Sequence, residues 1–580
     1  MKKALALLSL LAVMVTGCNK DSIFPWDDPF QDDDTNTEAG SSGVTGSTTA
    51  EINVDEEDLV AGTEFVRTIT ITFSDGEGAS VTGDENGIVT VAGNQVTVDN
   101  TSTKEKVKYE LSGSTTNGFL KIYSNNKQAL VLNGVSITNP NGAAINNQGK
   151  KRCFVILNGS NTLADGSSYT ATPDEEDEKA AFFSEGQLIF SGEGTLNVTA
   201  QGKAGITSDD YIRLLDGPTL NVSSSAGHAV RGKDAVIISG GTLVAKTSAH
   251  MKKGIASDSL VVFNGGVTTV TVTGGVAYDD EDQEYKSSAG VKADKLFIMN
   301  DGTLTITNSG QGGKGITGDA DGYFQGGTVN VTVTGSNYGQ SSSGFGPGFG
   351  GSSSSSNDNS KSAKGIKFDG NLYISGGSIS SKSANNEGIE AKGKIEITGG
   401  TVYTQAKDDA INSAGNLTVT NGYVCAYSTG NDGMDANGNL YIEGGVVYAI
   451  GSGSPEVALD ANTEQRYKLY VNGGVLFTIG GLESGAVLSQ KCYSASSWSA
   501  KKWYSITVGD NTYAFFTPEK GGSGLVVSGA TQPTVKSGVT VTGGTEIFGG
   551  MGVLGGTVSG GSSVSLSSYT GSSSGPGGWR

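Results

Sequence analysis

Cysteine, proline and histidine are scarce in this chain of 580 residues, numbering four, ten and two. Cys18 lies at the end of an N-terminal apolar run, so Cys153, Cys425 and Cys492 are left. An odd, sparse set excludes a disulfide framework. Cys425 sits in an apolar strand and reads as core. His228 and His250 are too few for a zinc site of the His/Cys type. Positive charge is also short: 39 Lys and Arg face 59 Asp and Glu, a formal net charge of −20. That excludes the basic footprint of a nucleic-acid binder and suits a secreted, cation-seeking protein. Beyond the N-terminus no apolar run is long enough to span a bilayer, and the repeat region has no run of helical periodicity.

Glycine is abundant, 90 residues, but without the three-residue period of collagen. Its placement is periodic at a longer interval. A strand followed by Gly-Gly or a variant recurs, and its second glycine is Gly217, Gly241, Gly266, Gly302, Gly327, Gly377, Gly400, Gly422, Gly445 and Gly474. Most steps are 22 to 25 residues; steps of 36 and 50 carry insertions. Short alternating strands such as Leu372-Tyr373-Ile374 and Leu440-Tyr441-Ile442 lie between the glycine turns. The period is too short for a propeller blade and lacks leucine-rich spacing. It predicts an all-β fold, a parallel β-helix of three strands per coil with N- and C-terminal β caps, because end coils expose apolar edges. Asn416 and Asn439, 23 apart, are candidates for an asparagine stack.

A second phrase keeps the same time. Lys364-Gly365-Ile366-Lys367, Glu387-Gly388-Ile389-Glu390, Asp409-Ala410-Ile411-Asn412, Asp432-Gly433-Met434-Asp435 and Val457-Ala458-Leu459-Asp460 step by 23, 22, 23 and 25 residues. In a solenoid, equivalent positions lie about 4.8 Å apart. Glu387, Asp409 and Asp432 then form one ladder, and Glu390, Asn412, Asp435 and Asp460 another. Unit charges at that spacing repel by about 1 kcal/mol per pair in water, and by more near a protein surface. A cation relieves this, and hard oxygen ligands favour calcium. The candidate metal ligands are Glu387, Glu390, Asp408, Asp409, Asp432, Asp435 and Asp460, with Asn412 and Asn431 as further oxygens. The plainer alternative is a solvated acidic edge relieved by Lys364, Lys367, Lys392 and Lys407.

Upstream the same slots turn basic. Lys253, Lys314 and Lys364 hold the first position, and Arg231, Lys292 and Lys367 the fourth. Cations at one end and calcium-loaded acids at the other would suit a carboxylated polysaccharide; charge balance along the stack is the plainer account. Tyrosines recur on the strands, at 373, 403, 423, 427, 441 and 448, either as a platform for sugar rings or because tyrosine suits half-buried strands. Lys314, Lys364, Lys367, Tyr403 and Tyr427 are the candidate glycan contacts. The Gly-rich run at 344–351 lacks the Gly-Lys-Ser/Thr ending of a phosphate cradle.

Residues 1–18 read as a signal peptide, with Lys2 and Lys3 before an apolar run that ends Val15-Thr16-Gly17-Cys18. That ending resembles a bacterial lipobox, making Cys18 the lipidated first residue and the membrane a partner only through that lipid. Residues 19–50 read as an acidic, Ser/Thr-rich tether. The β-helix is expected over 51–481, with insertions at 276–288 and 338–362. A C-terminal β region or cap is expected over 482–558, and a disordered Gly/Ser tail over 559–580.

Asp408-Asp409-Ala410-Ile411-Asn412, followed by Gly430-Asn431-Asp432-Gly433-Met434-Asp435-Ala436-Asn437, resembles the bacterial carbohydrate-binding right-handed parallel β-helix proteins, similar in fold to family-9 polysaccharide lyases. The resemblance covers roughly residues 50–500 and is most specific over 384–462. It implies an extracellular location, calcium in the stacked acids, and binding of cellulose or an acidic plant glycan such as polygalacturonate; the lipobox adds the expectation of a lipid-anchored place at the outer membrane, facing the cell surface. Two other functions fit the same residues: a lyase acting on uronans by β-elimination, and a non-catalytic adhesin or envelope spacer.

Overall fold

The computed structural model describes residues 56–170, 176–339 and 359–571. The expected leader, Cys18 and the 19–50 tether lie outside these residues, as do 340–358 of the second insertion and 572–580 of the tail.

Each coil runs through three short strands. In one coil these are Ile389–Ala391, Ile395–Ile397 and Thr401–Ala406; in the next, Ile411–Ser413, Leu417–Val419 and Tyr423–Ser428. Each pairs in parallel with its counterpart one coil on. Repeating this gives a parallel β-solenoid of about 14 turns, within the compact unit Val54–Arg580. Two longer strands, Leu260–Val272 and Leu296–Asn308, run through the bend and serve the second and third columns at once.

Alternation in the sequence becomes columns in the core. Ile316, Ile366, Ile389, Ile411, Met434 and Leu459 stack in register, and all are fully buried. Leu372, Ile395, Leu417, Leu440 and Leu469 form the second interior column, and Ile379, Val402, Val424, Val447 and Leu476 the third. Each buried side chain of this size is worth about 1.5–3 kcal/mol. Asparagines line one turn: Asn371, Asn416 and Asn439 each accept a backbone N–H from the next coil with Oδ1, at 2.9–3.0 Å. The Gly-Gly turns have a steric reason. Gly400 has φ of 78° and its missing Cβ would lie 2.8 Å from the Gly376 backbone, so an L side chain is both strained and obstructed there.

The ends close differently. At the start, strand Ser80–Thr82 runs antiparallel along the edge of Arg67–Ser74, and the short turn Glu56–Asp58 docks on the side of the solenoid. There Asp58, fully buried, pairs with Arg152 and Arg213 at 2.8 Å each. At the far end, Leu525–Ser528 covers the last coil strand Val475–Ile479 antiparallel. A separate six-stranded antiparallel sheet, from Trp503–Val508 to Thr557–Ser563, then folds against the coil's flank. The expected disordered tail is therefore corrected over 559–571. Thr557–Ser563 is a strand of that sheet, and Ser567–Tyr569 pairs with Cys492–Ala495. Low-complexity Gly/Ser sequence still offers backbone donors and acceptors, and an existing sheet edge recruits them.

Candidate functional site

The first strand of each coil carries the charged phrase, and register places its residues one above another. Lys253, Ala289, Lys314 and Lys364 form one column. It continues through Glu387, Asp409 and Asp432, whose carbonyl oxygens accept from Gly365, Gly388 and Ala410 of the preceding coils. The neighbouring outward column reads Arg231, Ala256, Lys292, Thr317, Lys367, Glu390, Asn412, Asp435 and Asp460. One edge of the solenoid thus runs from basic to acidic.

Where the two signs meet, they neutralise each other. Lys364 Nζ lies 3.1 Å from Glu387 and 2.5 Å from Glu390, and Lys392 also pairs with Glu390. Burial works to raise Glu390, but these ammonium groups outweigh it and hold the carboxyl below its ordinary value. Burial dominates at Glu387, which is raised. Both glutamates therefore already have a cation and are poor candidates for a metal.

Asp409 and Asp432 are buried, and among the described residues neither they nor Asp408, Asp435 or Asp460 make an ion pair with Lys or Arg. Asn412 Nδ2 donates to Asp409 and Asp435 at 2.9 Å, the Asp432 N–H donates to Asp409 at 3.1 Å, and the Val457 N–H donates to Asp432 at 2.5 Å. Asn431 Nδ2 donates to Asp408 at 2.9 Å. Burial pushes Asp409 up to about 8, Asp432 to about 7 and Asp435 to about 6. Asp460 rises to about 9 by burial and by a hydrogen bond shared with Glu483. The donor set is carboxylate and amide oxygen, which fits calcium. Asp408, Asp409, Asp432, Asp435 and Asp460 are the residues that would hold it. Their oxygens are spread along the edge. Among the described residues, the three carboxylates whose oxygens all lie within 4.8 Å are instead Asp177, Glu185 and Asp209, and Lys179 bridges Asp177 and Asp209 there.

A family model described as carbohydrate-binding domain-containing protein matches residues 92–258, 310–410 and 383–514. The chain belongs to that family. Polysaccharide, in general terms, is accordingly the partner of this carbohydrate-binding protein. A search of curated proteins finds no match. One solved structure, a polysaccharide lyase-like protein from C. thermocellum (gadolinium derivative), shares 20% identity over 46% of this chain and 95% of its own, with a TM-score of 0.30, a likeness too slight to bear on the site.

The candidate glycan contacts of the carbohydrate-binding protein separate on inspection. Lys364 is committed to Glu387 and Glu390, and Lys367 pairs with Asp369. Lys314 alone of the three has no carboxylate partner among the described residues; its Nζ donates to Ser287 Oγ at 2.9 Å and more distantly to the carbonyls of Gly312 and Ser362. Tyr403 is corrected outright: it is 5% exposed, in a second core with Tyr448, Phe477, Tyr504, Phe515 and Phe548, and the C-terminal sheet covers it. Tyr427 is half-buried beside the same core and donates to the Lys520 carbonyl at 3.4 Å. Tyr373 and Tyr441 do lie outward, but they stack on Tyr323 and Tyr470 with centroids 4.8 and 4.9 Å apart, so one face of each ring is taken. Glu483 was missed, although it follows Asp460 by 23 residues, and a bridge from Leu459 to Leu482 keeps the register.

Proposed function

We propose that the chain is a calcium-dependent binder of an acidic polysaccharide such as polygalacturonate, carried at the cell surface of the outer membrane by a lipid on Cys18. The observation that carries the reading is the run of acids at 409, 432, 435 and 460, the first two buried and the others half-buried, with no Lys or Arg ion pair among the described residues, on the same edge as the lysine column. Calcium would neutralise the acids and supply a positive centre for glycan carboxylates. The side chains of Asp408, Asp409, Asp432, Asp435 and Asp460 would hold it, and Lys314 would meet the glycan further along the edge.

Titration of calcium into chelator-stripped full-length protein tests this. Saturable micromolar binding that the Asp409→Ala/Asp432→Ala variant loses supports the reading; absence of binding overturns the calcium dependence and leaves a spacer as the better account. A second reading, β-elimination on the same glycan, is favoured only by Lys314, which burial lowers to about 7 and which could therefore accept a proton near neutrality. Release of unsaturated uronate product separates it from binding alone. For the anchor, Cys18→Ala is expected to move the protein from the membrane to the soluble fraction.

A further inference from the structure

The two insertions lie at the same turn of two coils, with one coil between them. The first, at 276–288, precedes Ala289, and the second, at 338–362, precedes Lys364. Between them lies the short turn Gln311-Gly312-Gly313, followed at once by Lys314. Their roots are tied to that turn: the Val276 N–H donates to Gln311 at 3.0 Å and the Gly312 N–H to Ser336 at 2.7 Å. A Cβ on Gly312 would lie 2.9 Å from the Lys361 carbonyl. Lys314 Nζ reaches Ser287 at the end of one insertion and Ser362 at the end of the other.

The insertions themselves carry tyrosine. The first is a hairpin, Ala277–Asp279 against Glu284–Lys286, with Tyr278 opposite Tyr285. Alternation puts Asp279, Glu284 and Lys286 on the other face, where Lys286 pairs with Asp279 at 2.9 Å. The acidic side of the hairpin is thus turned from the tyrosines. The rings of Tyr278 and Tyr285 meet edge-on at 5.2 Å, and Tyr285 meets Tyr338 of the second insertion at 5.4 Å. Tyr338 is fixed by paired backbone bonds with Lys361 at 2.8 and 3.0 Å. Tyr278 remains 43% exposed.

We propose that Lys314, where the roots of the two insertions meet, and the tyrosines those insertions carry, Tyr278, Tyr285 and Tyr338, together form a subsite for a carboxylate-bearing sugar of an acidic glycan, apart from the stacked acids. The inference rests on the reading of the chain as an acidic-glycan binder. Among the described residues Lys314 offers an ammonium whose acceptors are all neutral, with no carboxylate in an ion pair with it. The charged groups acting on it include Lys361, Lys364 and Lys367, which with burial lower it, and Glu390 opposes them. An incoming carboxylate completes the missing ion pair. The tyrosines offer apolar ring surface for the C–H face of a pyranose and hydroxyls for its oxygens. Neither insertion alone makes this set.

The test is calorimetric titration of full-length protein, with calcium present, using a linear oligogalacturonate, its methyl ester and a neutral cello-oligosaccharide. Tyr278→Ala, Tyr285→Ala/Tyr338→Ala and Lys314→Gln are compared with Asp280→Ala/Glu281→Ala at the hairpin tip. The expected result is oligogalacturonate binding weakened about tenfold by each subsite change, unmoved by the tip change, and weaker for the methyl ester. Binding within twofold of the parent protein in Tyr278→Ala and in Lys314→Gln overturns the subsite and leaves the function standing. Equal affinity for the methyl ester overturns the carboxylate assignment. No binding of oligogalacturonate by the parent protein overturns both the subsite and the acidic-glycan reading. Thermal midpoints of each variant show that it is folded, and Tyr278→Ala, at an exposed position, keeps the test decisive if Lys314→Gln unfolds.

Discussion

A buried carboxyl group with no basic partner keeps its proton, and Asp409, raised from 3.8 to about 8 and without a Lys or Arg ion pair among the described residues, is in that position. The consequence for stability has a definite sign. Between the unfolded value and the folded one, the native state holds a proton that the unfolded chain has released, so stability from this source is greatest below about pH 4 and is lost as pH rises towards 8. Asp432, Asp435 and Asp460 act in the same direction. Thermal midpoints in chelator are therefore expected to fall from pH 5 to pH 8, and Asp409→Asn to flatten that slope. Calcium, if held there, raises the midpoint more at pH 8 than at pH 5. Lys364→Met is the converse case. It leaves Glu390, 1% exposed, with Lys392 as its remaining cation, and a loss of about 3 kcal/mol is expected in denaturant melts. The period of 22–25 residues was enough to place these acids on two neighbouring ladders. It could not divide them into the pair claimed by Lys364 and the set without partners, because that depends on which side chains bend across rungs. The burial of Tyr403 was equally hidden, since it is created by Phe548 and Met551, nearly 150 residues away.

A single coil is stabilised almost wholly by the coils on either side, so damage is expected to stay local. Ile411→Ala removes a fully buried rung between Ile389 and Met434 and should cost about 2–5 kcal/mol. Hydrogen exchange is expected to quicken in the two flanking coils while the N-terminal coils keep their protection. Gly400→Val meets the Gly376 backbone and a positive φ together, and should be more damaging than Gly87→Val, where φ is also positive but nothing lies within 4 Å. The coil was legible because its three cues, alternating apolar residues, Gly-Gly turns and the charged phrase, repeat and reinforce one another. A C-terminal β region was expected over 482–558, but not its pairing or its reach past 558, because its strands are antiparallel, irregularly spaced and rich in Gly, Ser and Thr, and only their packing on Tyr448 and Phe477 gives them a place.

Across the whole protein, the solenoid's flank and its last edge are covered by one stretch of chain after residue 481. A version ending there would expose Tyr448, Phe477 and the open edge of Val475–Ile479. Such a chain is expected to self-associate, read as a concentration-dependent rise in mass by light scattering, whereas the full-length protein stays unchanged over the same range. The two insertions make a different point. Lys314 and Lys364 are 50 residues apart in sequence yet adjacent in register. Length added at one turn is absorbed there and never passed to the next rung. A loop can therefore be lengthened, shortened or exchanged by mutation while every column of the core stays aligned, so the choice of ligand can drift from one descendant to the next without the scaffold having to be refolded around it.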